Sequence, residues 1–139
     1  MLEKILIAND GSEAAFRALA LALDMAQRRG AEVHMVSVAE IPWAPGTREE
    51  MIGEKELADH KLADVIERAK AEASDQGVRL GAHLLAGHPV KAITGFAGEK
   101  GFDALVIGHV GHSQVYNMLI GGNAERLVRL APCTVIVVK

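Results

Sequence analysis

Apolar positions along the 139-residue chain follow two spacings that take turns. Residues 4–10, "KILIAND", form a short run rich in isoleucine that closes on Asn9, Asp10 and Gly11. Such a run predicts a strand buried on both faces. From Ser12 the spacing lengthens, and Ala15, Leu19, Ala22, Leu23 and Ala26 share one face of a helix. Ser12 is placed to cap that helix, Glu13 suits its positive end, and Gly30 ends it. "AEVHMVSVAE" predicts a second strand. "IPWAPGTREEMIG", with two prolines and two glycines, predicts a long loop or lid over 41–53. A second helix is expected from about Glu54 to Gln76, with Leu62, Val65, Ile66, Ala69 and Ala73 as its stripe and Gly77 as its stop. "VRLGAHLLAG" reads as a third strand running into Gly87-His88-Pro89, and Val90, Ile93 and Ala97 mark a third helix. "FDALVIG" is a fourth strand, Ala124, Leu127, Val128 and Ala131 form a last helical stripe, and "CTVIVVK" is a fifth strand.

The predicted order is therefore βαβαβαβαβ. Strands alternating with helices imply a parallel sheet with helices on both faces. In such sheets ligands bind beyond the carboxyl ends of the strands, where the strand order reverses. The loops after strands one and four, "NDGSE" and "GHVGHSQVYNMLIGGNAERL", are the candidates for that crevice. The second holds four glycines between Gly108 and Gly122, around a stretch without a charged residue. Glycine costs conformational entropy, so the bare backbone should serve either a tight packing turn or a ligand resting on amides. Bare amides beside a positive helix end form an anion site.

Composition narrows the function classes. Apolar residues make up 50% of the chain and charged residues 24%, a soluble globular balance with no apolar run near the length of a membrane span. The opening "MLEKILIANDGSE" meets acidic and polar residues too early for a signal peptide, so a cytoplasmic protein without a membrane partner is expected. A net charge of −3 gives no support for a nucleic-acid partner. Cys133 is the single cysteine, lies in an apolar run and reads as a buried thiol. His109 and His112, with His88 on the same rim, have a spacing suggestive of metal ligands. No cysteine or paired carboxylate completes a set, and no metal is expected. His34 and His83 fall inside strands as core or surface positions. Trp43 reads as cover for an apolar edge ahead of a base-stacking role, and the Glu/Lys run at 54–61 as a solvated helix face. "ANDGSE" lacks the Gly-x-Gly-x-x-Gly of a dinucleotide oxidoreductase. Strand three ends in Ala86-Gly87 without the carboxylates of a phosphoacceptor receiver, and no Gly-Lys-Ser or Gly-Lys-Thr occurs.

Taken together, these segments resemble the universal stress protein family along the whole chain, 1–139. The resemblance rests on "ILIANDGSEAAFRAL", on Gly87-His88-Pro89, on Gly108, Gly111 and Gly121 in a Gly-x2-Gly-x9-Gly spacing, and on "APCTVIVVK". It implies a single-domain α/β fold: a five-stranded parallel sheet in a three-layer α/β/α sandwich, strand order 3-2-1-4-5. It further implies a stress-response protein binding ATP or AMP, with Mg2+ accompanying ATP, at the carboxyl ends of strands 1 and 4. Ala8, Asn9 and Asp10 would lie by the adenine or ribose, and Val38 would touch the adenine. Gly108, His109, Val110, Gly111, Gly121, Gly122, Asn123 and Ala124 would surround the phosphates. Many members pair through the last strand, so a homodimer is expected, with a protein partner that the sequence does not name. No poised base or nucleophile is visible, and slow ATP hydrolysis or self-phosphorylation is the most that is expected.

Two positions depart from the family pattern. Gly122 stands where a Ser or Thr hydroxyl would touch phosphate or open a capping box with Glu125, leaving Asn123 as the alternative cap. Val110 stands where many members carry histidine. Two readings stay open for the glycines, phosphate cradle or inherited turn, and two for Asp10, ligand contact or acceptor of helix amides. The alternative function is a nucleotide-free dimeric interaction protein of the same fold.

Overall fold

The computed structural model describes residues 2–40, 48–110 and 122–139, with backbone alone over 48–59. The short apolar runs become β1 (Lys4–Ala8), β2 (Glu32–Ala39), β3 (Leu80–Ala86), β4 (Ala104–Gly108) and β5 (Thr134–Val138). The longer-period stripes become α1 (Glu13–Arg29), α2 (Arg48–Asp75), α3 (Pro89–Glu99) and α4 (Gly122–Leu130). All strand pairs are parallel, and the five-stranded sheet has the order β3-β2-β1-β4-β5, as expected.

Alternation along each strand divides the core into two layers. Ile5, Ile7, Met35 and Val106 face α1 and α2, where they meet Leu19, Leu23, Ala69 and Ala73. Leu6, Val36, Leu105 and Ile107 face α3 and α4, where they meet Val90, Ile93, Ala124 and Leu127. The central strands are apolar on both sides because both sides are covered. Gly30 takes φ 68° and closes α1 with its N–H on the Ala26 carbonyl. Asp103, just before β4, accepts hydrogen bonds from the N–H groups of Glu3 (3.0 Å) and Lys4 (2.9 Å), pinning the start of β1 beside β4.

Two expectations need correction. Helix α2 begins at Arg48, so 48–53 is not loop. Thr47 and Glu50 have the Ser/Thr-x-x-Glu spacing of a helix start, and Glu49 and Glu50 suit the first turn. The glycine at 53 is instead carried inside the helix. Trp43 and the rest of 41–47 lie outside the described residues. In α4, Ala124 and Leu127 are buried but Val128 is 50% exposed. Val128 is left out of the core cluster that takes Ala124 and Leu127, on a helix that packs near the edge of the sheet.

Candidate functional site

The chain leaves β1 toward α1 on one face and β4 toward α4 on the other. β1 and β4 are sheet neighbours, so their carboxyl ends bound a switch-point crevice. The β1 exit is built by Asn9 and Asp10. Asn9 is 2% exposed and is committed to the protein interior. Its Oδ1 accepts the Gly11 N–H (2.9 Å), its Nδ2 points to Met35 Sδ (3.5 Å), and its carbonyl accepts the Ser37 hydroxyl (2.7 Å). Asp10 Oδ1 accepts the Ser12 N–H at 2.9 Å, so the amide-acceptor reading of Asp10 is realised in this geometry. Gly11 has φ 90°, a conformation few other residues adopt, and it lets the chain turn into α1. Ser12 is the N-cap, and its Oγ accepts the Ala15 N–H at 3.1 Å.

The β4 exit meets this turn directly. The Ser12 hydroxyl lies 3.5 Å from the Val110 carbonyl. The backbone ladder continues past β4, with the His109 N–H on the Val138 carbonyl at 2.9 Å. Gly108 faces α1 at very close range: a Cβ there would be 2.7 Å from the Ala14 carbonyl carbon and 2.9 Å from its oxygen. The close approach of helix to strand therefore uses this glycine, whatever else the loop does. Beyond it, His109 Nδ1 is buried and has no partner among the described residues.

Ala8, Asn9, Asp10, Gly108, His109 and Val110 thus come together at one rim of the sheet. Val38 lies on the same rim two strands from β4, paired with Leu85 of β3. Gly122, Asn123 and Ala124 open α4, with Ala124 buried against the core. Gly111, Gly121 and His112 lie outside the described residues. Gly122 is already the first residue of α4, so Asn123 sits inside the helix rather than capping it. A Ser-x-x-Glu box would need its hydroxyl one residue earlier, so Gly122 and Glu125 are out of frame for it. No other described residue lies within 4 Å of a Cβ at Gly122.

Ser12 Oγ is occupied as a cap, and no group of three or more metal-ligating side chains occurs among the described residues. Cys133, half-buried just before β5, has its thiol pushed up by burial and then by the nearby Asp103 carboxylate, both of which favour the protonated form. A groove of about 370 Å³ lined by Lys70, Ser74 and Arg79 lies at the amino end of β3, away from the crevice. Its position at the wrong end of the strands makes the switch point the better candidate. No helix among the described residues is long and apolar enough to cross a membrane.

The family model for "Universal stress protein family" matches residues 1–139. The chain belongs to this family. A universal stress protein of Methanocaldococcus jannaschii is 31% identical over 141 residues, covering 100% of this chain and 83% of the relative. Among solved structures, the universal stress protein UspA from Lactobacillus plantarum superposes with a TM-score of 0.89 at 26% identity, covering 99% of this chain and 98% of that one. The Archaeoglobus fulgidus universal stress protein in complex with dAMP has a TM-score of 0.68 at 26% identity, with 100% of both chains covered. This universal stress protein is therefore matched over its full length, and the Archaeoglobus fulgidus relative is in complex with dAMP.

Proposed function

We propose that this chain binds an adenine nucleotide, ATP or AMP, at the carboxyl ends of β1 and β4. The observation that carries the reading is the meeting of the β1 and β4 exits at Ser12 and Val110, in a family with a member solved with dAMP. Asp10 and Val38 would hold the nucleoside end. The amides of the glycine loop and of the α4 start would hold the phosphates, with Mg2+ accompanying ATP. His109 Nδ1, without a partner among the described residues, fits a ligand oxygen. The role is one of nucleotide sensing in the cytoplasm, with any hydrolysis or self-phosphorylation slow.

A second reading keeps the fold without the ligand: a homodimer acting by protein contact alone. It is favoured by Gly108, whose absent Cβ serves helix packing, and by the exposed Val128 (50%) and Leu130 (59%) beside the β5 edge. Acid extraction of the purified protein followed by anion exchange separates the two. Stoichiometric AMP, ADP or ATP in the extract supports the first. A nucleotide-free extract, with no heat on titrating ATP or AMP to millimolar concentration, leaves the second.

A further inference from the structure

The other end of the same sheet face carries an imidazole pair outside the crevice. His34 on β2 and His83 on the edge strand β3 bring Nδ1 and Nε2 to 2.9 Å. Their planes differ by 18° and their centroids lie 5.1 Å apart, the spacing of two rings meeting nearly head-on through one N–H···N bond. The pair is embedded in aromatics: Phe102 meets His34 edge-on at 5.3 Å, Phe96 of α3 meets His83 at 4.9 Å, and the two phenyl rings are 5.7 Å apart. Gly81, paired with His34 across the strands, leaves the room for it, since a Cβ there would be 2.5 Å from His34 Nδ1. Glycine weakens a strand interior, and here the close approach of the ring accounts for it.

We infer that His34 and His83 form a proton-operated latch on the edge strand β3, closed by a single proton between the rings and opened by a second protonation. In the closed state one nitrogen donates and the other accepts. A cationic His34 is still compatible with it, because Nδ1–H donates to His83 while Nε2–H faces Glu32 Oε1 at 3.5 Å. Protonating His83 as well leaves two N–H groups pointing at each other and no acceptor between them. The charges facing the pair do not relieve this. From α3 comes Lys100, from β1 comes Lys4 over the Phe102 ring at 4.8 Å, and β3 offers no acidic side chain. Glu32 on β2 is the facing carboxylate, and it is 60% exposed and reaches the far nitrogen.

Burial, then the His34 ring, then Lys100 hold the His83 imidazole below the ordinary histidine value of 6.5. The folded state thus favours neutral His83. The stability it contributes is full above 6.5 and is lost as pH falls through its lower folded value. Proton rather than metal is the fitting occupant, because no third ligating side chain converges on the facing nitrogens among the described residues.

The test is an NMR titration of the imidazole protons of the intact protein from pH 8 to 4.5 in the presence of a chelator, with amide exchange read in parallel. The His83 signals should titrate below the ordinary histidine value of 6.5. Protection of the β3 amides, corrected for intrinsic exchange, should fall by up to about tenfold per pH unit as pH drops from 6.5 toward the lower folded value of His83, and level off below it. In His83→Gln, which keeps an acceptor but cannot take the second proton, β3 protection should stay level over the same range. A His83 titration at the ordinary histidine value in the wild type would overturn the latch, whether or not the variant folds. So would equal acid loss of β3 protection in the variant.

Discussion

A methyl group added at Gly108 would sit 2.7 Å from the backbone carbon of Ala14, a distance that no side-chain rotation relieves. Two effects of Gly108→Ala compete. Restricting the unfolded chain favours the variant by about 0.4–1 kcal/mol. Forcing α1 away from β4 costs about 1–3 kcal/mol. The clash wins, and urea unfolding should show a loss of about 1–2 kcal/mol in the absence of nucleotide; an unchanged midpoint would remove the packing role. Gly122 is the opposite case, being exposed and open, with a φ outside the left-handed region. Gly122→Ser is free of strain, and its out-of-frame position offers no capping box. Ligand-free stability should rise only by about 0.5 kcal/mol, from helix propensity. A hydroxyl that reaches phosphate should tighten ATP several-fold, about 1 kcal/mol. Calorimetry and thermal melting read the two separately, and equal ATP affinity would place the phosphates away from residue 122.

Whole elements were more legible than single residues. The stripes Ala15–Ala26 and Leu62–Ala73 became buried helix faces because period 3.6 survives any neighbouring context. The start of α2 was hidden because Gly53 and two prolines argue for loop while only the Thr47–Glu50 spacing argues for helix. Pairs set by strand register escaped altogether: Gly108 against Ala14, and His34 against His83, become neighbours only once the strand order is known. Strand β5 raises a question at this scale. It is a sheet edge with Val135–Val138 only partly covered, next to the exposed Val128 and Leu130 of α4. Edge strands of this kind invite pairing. A two-fold, antiparallel β5–β5 contact is the expected assembly. Light scattering should give a dimer mass at micromolar concentration and a monomer for a folded Val135→Lys variant. A wild-type monomer, or a dimer untouched by the substitution, would refute it.

For the molecule as a whole, the strand order concentrates the candidate site at one rim. Asp10, the capped start of α1, and Gly108–Val110 are held there by two core layers and by the Asp103 clamp at the opposite end of β1. Arg68 of α2 adds to this frame. It stacks on Phe16 at 3.6 Å and approaches Glu13 at 3.7 Å, steadying the first turns of α1. Such a frame suits a ligand that is recognised without a large rearrangement. The decisive measurement is a backbone NMR titration of the intact protein with AMP and with ATP plus Mg2+. Saturable shifts should concentrate at Asp10–Ser12, Val38, Gly108–Val110 and Gly122–Ala124, while Lys70, Ser74 and Arg79 remain still. Saturable shifts confined to any other surface, or none with either nucleotide at millimolar concentration, would contradict an adenine-nucleotide site between β1 and β4.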